Sequence, residues 1–131
     1  MSATEKSTHR RQWRDYRTQA GRRPVKEFLD GLSDTDAAAV AAGMKDVLEN
    51  GTKAARHVRG DIFEVRADAD RVIYRILFAA EGRFSQVLLA LEGLKKKTQK
   101  TPPATIELAE KRLADWRHRG RQSGKAPSKR R

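Results

Sequence analysis

The sequence predicts an α+β domain: a compact, mainly antiparallel sheet with an N-terminal helical hairpin before it and one C-terminal helix after it. Three observations carry this. Apolar residues recur at helical spacing twice before residue 50 and again after residue 102. Between residues 62 and 91 they fall instead into short β-rich runs separated by polar links. At 131 residues with no cysteine, the chain is long enough to bury one core without disulfides or Cys-based metal sites.

Residues 1–12 are polar and aperiodic and read as a disordered tail. Trp13 to Thr18 has the pattern of a short first strand. Gly21-Arg-Arg-Pro24 turns the chain, and Pro24 suits a first helical position, with Val25, Phe28, Leu29 and Leu32 on one face of a short helix. Ser33 with Asp36 three residues on resembles an N-cap, and Asn50-Gly51 a stop. Val40, Met44, Val47 and Leu48 then share one helical face, while Ala37–Ala42 and Gly43 leave a thin flank for close packing.

Ile62–Ala67 and Arg71–Phe78, joined by Asp68-Ala-Asp70, predict a hairpin. Alternation puts Phe63, Val65, Val72, Tyr74, Ile76 and Phe78 on an apolar face, and Glu64, Arg66, Arg71, Ile73, Arg75 and Leu77 on the other. Pairing residue 66 with 71 satisfies both assignments. Glu81-Gly82-Arg83 makes the next turn, and Phe84–Leu91 reads as a strand inside the sheet. Thr101 and Pro102 are read as N-cap and first residue of a helix carrying Ile106, Ala109, Leu113 and Trp116 on one face. The domain is thus expected over 13–117, with 118–131 a flexible basic tail.

The formal net charge is +12, but it is unevenly placed. Residues 51–100 hold 11 basic against 6 acidic side chains, and residues 95–100 hold four lysines and no acid. An anionic partner docking at the strands and at a basic loop beginning at Leu94 follows from that localisation. Arg66 and Arg75 present planar forks matched to phosphate. Lys95, Lys96, Lys97 and Lys100 add charge, Gln99 can hydrogen-bond a base or ribose, and Arg71 lies at the turn. Together they describe an RNA-phosphate site. The plainer alternatives are that Glu64 pairs with an arginine and that the lysines are a solvated run. Tyr74 falls on the core face by parity and is read as packing, as are Trp13, Trp116 and Met44; His57 is read as an exposed loop residue.

Histidines 9, 57 and 118 are far apart in sequence, and neither metal nor cofactor is expected. No apolar run approaches a membrane span, and the N-terminus lacks an apolar signal core, so the expected location is cytoplasmic with no membrane partner.

Asp-Ile-Phe-Glu-Val-Arg (61–66), Ile-Tyr-Arg-Ile-Leu-Phe (73–78) and Lys-Lys-Thr-Gln-Lys-Thr-Pro (96–102), the last followed by a Glu/Ala/Lys/Arg-rich helix, carry a resemblance. The chain resembles the phage-derived, HigB-like branch of the RelE/HigB toxin superfamily, over roughly Trp13 to Arg117. The resemblance implies a RelE-like sheet with helices on one side and a catalytic surface on the other. It implies a type II toxin–antitoxin toxin that cuts mRNA on the ribosome and is inhibited by a cognate antitoxin, often a helix-turn-helix protein. By motif position it points to Arg66, Arg75 and the lysines of 95–100. The cleavage that the resemblance implies, by attack of the ribose 2′-hydroxyl, needs a base and charge stabilisation: arginine cannot be the base, a lysine of 95–97, its pKa lowered by like charges, or Glu64 are the candidates, and electrostatic stabilisation by the arginines and lysines is the stronger expectation. The terminal Tyr or His that some relatives use is absent. A non-enzymatic RNA- or ribosome-binding translation inhibitor is the competing reading. A DNA-binding module fits less well, because the basic residues lie on strands and a loop.

Overall fold

The computed structural model describes residues 10–96 and 100–129, with the side chains of the last helix described through Arg121. Its strands are β1 (Gln12–Asp15), β2 (Arg56–Arg59), β3 (Ile62–Ala69), β4 (Val72–Glu81) and β5 (Val87–Lys96). They form one sheet in the order β1-β5-β4-β3-β2, antiparallel except where β1 runs parallel to β5. The helices are α1 (Pro24–Asp30), α2 (Asp34–Asn50) and α3 (Pro103–Lys129).

Pro24 opens α1 as expected, and Ser33 caps α2 by accepting the Asp36 amide at 3.1 Å. Gly51, at φ 81, closes α2 by returning its amide to the Val47 carbonyl. The two helices do not form the expected hairpin; α1 rests mainly on β5 and α2 on β3. The thin flank of α2 faces the sheet: a Cβ at Gly43 would lie 2.8 Å from Val65 Cγ1. Val25, Val40 and Val47 of the two helices thus pack on Val65, Tyr74, Ile76 and Phe78 of the sheet.

The opposite face is covered by α3 rather than left open. Ile106, Ala109 and Leu113 pack on Ile62, Leu77, Ala79, Leu89 and Leu91. Burying each large apolar side chain contributes about 1.5–3 kcal/mol, so the sheet is held from both sides. Arginines complete the docking. Arg117 binds Glu81 at 2.7 Å and Asp61 at 3.1 Å, and those acids push its guanidinium pKa upward. Arg119 lies 5.2 Å over the Tyr16 ring and pairs with Asp115, which also accepts the Tyr16 hydroxyl at 2.6 Å. Arg117 and Arg119 are thus part of the docking, and α3 runs on to Lys129.

Three further expectations are corrected. The hairpin pairs Arg66 with Arg75, not with residue 71, because Asp68 and Ala69 stay in the ladder and Asp70 turns the chain at φ 58. The parity, and so each face assignment, is unchanged. Phe84 lies in a short 3₁₀ turn and is exposed, and β5 starts three residues later but continues through Lys96. Arg56–Arg59 forms an edge strand that carries His57 out of the expected loop. Among the described residues, no helix is long and apolar enough to cross a membrane.

The contact between α1 and β5 gives a stability prediction. A Cβ at Gly93 would lie 2.3 Å from the Phe28 ring, which is itself wedged against Tyr74. Gly93→Ala is expected to lower unfolding stability by about 1–3 kcal/mol in urea titrations, the usual cost of overpacking. An unchanged midpoint would mean that this helix is not seated on the strand.

Candidate phosphate-binding face

The cationic site is built on the α3 side of the sheet, where α3 has not yet begun to cover it. On this face β3 contributes Glu64 and Arg66, and β4 contributes Arg75, directly opposite Arg66. Like charges opposite each other on neighbouring strands destabilise a sheet unless something compensates them. Glu64, diagonal to Arg75, supplies that compensation.

Arg75 and Glu64 are almost fully sealed from solvent, at 0 % and 1 % exposure. Thr101, just before α3, joins them. Arg75 Nη1 donates a short hydrogen bond to Thr101 Oγ1, and the Thr101 hydroxyl donates to Glu64 Oε1 at 2.6 Å. Arg75 Nη1 also lies 3.6 Å from Glu64 Oε1. Because its hydroxyl is used here, Thr101 does not cap the helix. Instead the Pro102 carbonyl accepts the Thr105 and Ile106 amides, and α3 starts one residue later than expected.

Burial pulls the Arg75 guanidinium below its ordinary pKa; Glu64 opposes this, while Arg66 and Arg56 add to it. A guanidinium without exposed surface cannot lie against a phosphate, and a sealed carboxylate cannot take a substrate proton. Arg75 and Glu64, read from the sequence as catalytic, thus lie sealed beneath the surface in this structure. Their visible work is to tie the start of α3 to two strands.

The exposed cations remain. Arg66 projects from the same face and is exposed. A bulge at Leu91 in β5 shifts the register there, so that Lys96 lies opposite Ile73 and Lys95 opposite Tyr74. By alternation Lys96 shares the face of Arg66, while Lys95 takes the side of α1 and α2. Both belong to a strand end rather than to the expected loop. Lys100 is exposed just before Thr101, and Arg71 is exposed in the β3–β4 turn at the end of the ladder. Lys97 and Gln99 lie outside the described residues.

Tyr74 is core, as parity required: its hydroxyl donates to Asp36 at 2.5 Å, and that bond, with burial, raises the phenol pKa. His57 stacks against Phe63 and bonds the Gly60 carbonyl at 2.7 Å, which puts it on the face away from the arginines. Two residues of the cluster escaped the sequence reading. Thr101 was assigned to a cap. Arg56, opposite Glu64 with its Nη1 3.6 Å from Glu64 Oε2, sits on a strand with too little alternation to be seen. Among the described residues, no group of three or more His, Asp or Glu side chains is placed to hold a metal ion.

The chain matches the family described as Phage derived protein Gp49-like over residues 27–114. It is 36% identical over 108 residues to a Mycobacterium tuberculosis protein named probable endoribonuclease HigB1. That alignment covers 80% of this chain and 84% of the relative, and it is the same in the CDC 1551 and H37Rv strains.

The buried cluster separates two kinds of arginine. Arg75→Ala is expected to cost about 3–5 kcal/mol in urea denaturation, because it strands the Glu64 carboxylate. Arg66→Ala should stay within about 0.5 kcal/mol of the parent, as for an exposed site. Equal losses would contradict the assignment of one to the interior and the other to the surface.

Proposed function

This chain belongs to the phage-derived, Gp49-like family of HigB-like toxins, and from that premise we propose that it is the toxin of a type II toxin–antitoxin pair, an endoribonuclease that arrests translation by cutting mRNA on the ribosome. The observation that carries the mechanism is the exposed cationic face of Arg66, Lys96 and Lys100 beside the buried Glu64 and Arg75 bridged by the Thr101 hydroxyl. The substrate's own 2′-hydroxyl attacks the adjacent phosphorus and the 5′ oxygen leaves, giving a 2′,3′-cyclic phosphate. No metal enters this scheme.

Arg66 is assigned to the charged transition state, with Lys96 and Lys100 holding the flanking backbone. Lys97, Gln99 and Arg71 are assigned to RNA binding by their position in the sequence. Arg75 and Glu64 are positioning residues that fix where α3 and the lysines before it leave the sheet. With the carboxylate sealed, the surface offers charge rather than a strong base, which suits an enzyme whose substrate is aligned by the ribosome. The partner that silences it is a cognate antitoxin, on this reading a helix-turn-helix protein, and the site of action is the cytoplasm. The same sealed carboxylate favours a second reading, inhibition by occupying RNA or ribosome without cleavage.

Purified protein added to a translating extract separates the two. Cuts in mRNA that need ribosomes, end in a cyclic phosphate and survive a transition-metal chelator that spares magnesium are the expected result. Arg66→Ala should reduce the cutting rate about 100- to 1,000-fold, the usual loss for one charge-stabilising donor. Intact transcripts alongside halted translation would establish occupancy instead.

A further inference from the structure

Arg56 has no role in the scheme above, yet its surroundings are unusual. It sits on edge strand β2 with its side chain 57% exposed, while the carboxylate it faces, Glu64, is sealed. The two oxygens of that carboxylate are used differently. Oε1 accepts the Thr101 hydroxyl; Oε2 has no hydrogen bond among the described residues and faces the Arg56 Nη1 at 3.6 Å. At that separation the guanidinium is oriented by charge without being locked into a bidentate pair. Five N–H donors remain available in a fixed fork.

The charge around it is also unbalanced. Arg56, Arg66 and Arg75 surround one buried carboxylate, with exposed Asp68 the further acid on that strand. Both exposed arginines lie close enough to Arg75 to disfavour its charge. Cations held this close on one face suit an anionic ligand. Resting on the reading of this face as an RNA site, we propose that Arg56 is a further substrate-binding residue, oriented by Glu64, that grips a second backbone phosphate of a single-stranded RNA. Strand order supports a second phosphate rather than the same one. Arg56 on β2 and Lys96 on β5 stand three strand spacings apart, roughly 14 Å across the sheet, and the register sets them four residues apart along the strands as well, too far for one phosphate group to bridge. The RNA backbone therefore runs diagonally across the strands, from the β2 edge to the end of β5.

The test is equilibrium binding of a short, uncleavable single-stranded RNA with 2′-deoxy or 2′-O-methyl sugars, titrated against salt. It uses the full chain and its Arg56→Gln, Arg56→Lys and Lys26→Gln variants, with mRNA cutting measured in parallel. Arg56→Gln should weaken binding and lower the slope of log K against log salt by about 0.7, the value of one phosphate contact on a single strand. Arg56→Lys should keep the slope, and Lys26→Gln, on α1 across the sheet, should keep slope and affinity. Coincident melting curves exclude misfolding, since Arg56 is an exposed edge residue. An Arg56→Gln variant that binds with the parental slope overturns the inference while leaving the nuclease reading intact. RNA binding that depends on Arg56 with no cutting by the parent overturns the nuclease reading and keeps the inference. No RNA binding by the parent overturns both.

Discussion

One threonine hydroxyl ties the strands of the cationic face to the start of α3. Thr101 accepts from Arg75 Nη1 and donates to Glu64 Oε1, so a single group bridges a buried cation and a buried anion while standing at the entrance to α3. The two charges themselves stand 3.6 Å apart, too far for a direct hydrogen bond, and both are sealed from solvent. Desolvation makes such an arrangement costly to break and strict about geometry.

The rest of the sheet is arranged around that constraint. α1 and α2 fill one face with apolar contacts, and α3 fills the far part of the other, docked by Arg112, Arg117 and Arg119 onto acids, a carbonyl and the Tyr16 ring. Three arginines of α3 thus serve internal docking. What remains uncovered on the α3 face, next to Thr101, is the strip with Arg56, Arg66 and Lys96. The bulge at Leu91 decides which lysine joins it, turning Lys96 toward the arginines and Lys95 away.

The faces of the hairpin were legible because side chains alternate strictly in a strand. Parity alone placed Tyr74 in the core and Arg66 outside it. Register was less legible: Asp68 and Ala69 have turn composition, but Asp70 tolerates a left-handed φ and lets the ladder run on to Ala69 and Val72. β2 was invisible, since Arg-His-Val-Arg has one apolar residue and gains its place by pairing with β3. The second helical layer was misjudged, because the periodicity of α3 says that it packs but not on which face. The deepest gap concerns Arg75. Nothing local separates an arginine that meets solvent from one sealed by a threonine 26 residues away; only the path of α3 over the strands decides it.

The most direct measurement is a double-mutant cycle between Glu64→Gln and Thr101→Val, read as unfolding free energies from urea titration. A network closed by the threonine hydroxyl predicts a coupling energy of about 1–3 kcal/mol between the two sites. Losses that add to within about 0.3–0.5 kcal/mol would mean that the hydroxyl does not bridge the buried charges, and the structural basis of the cationic face would fail with it.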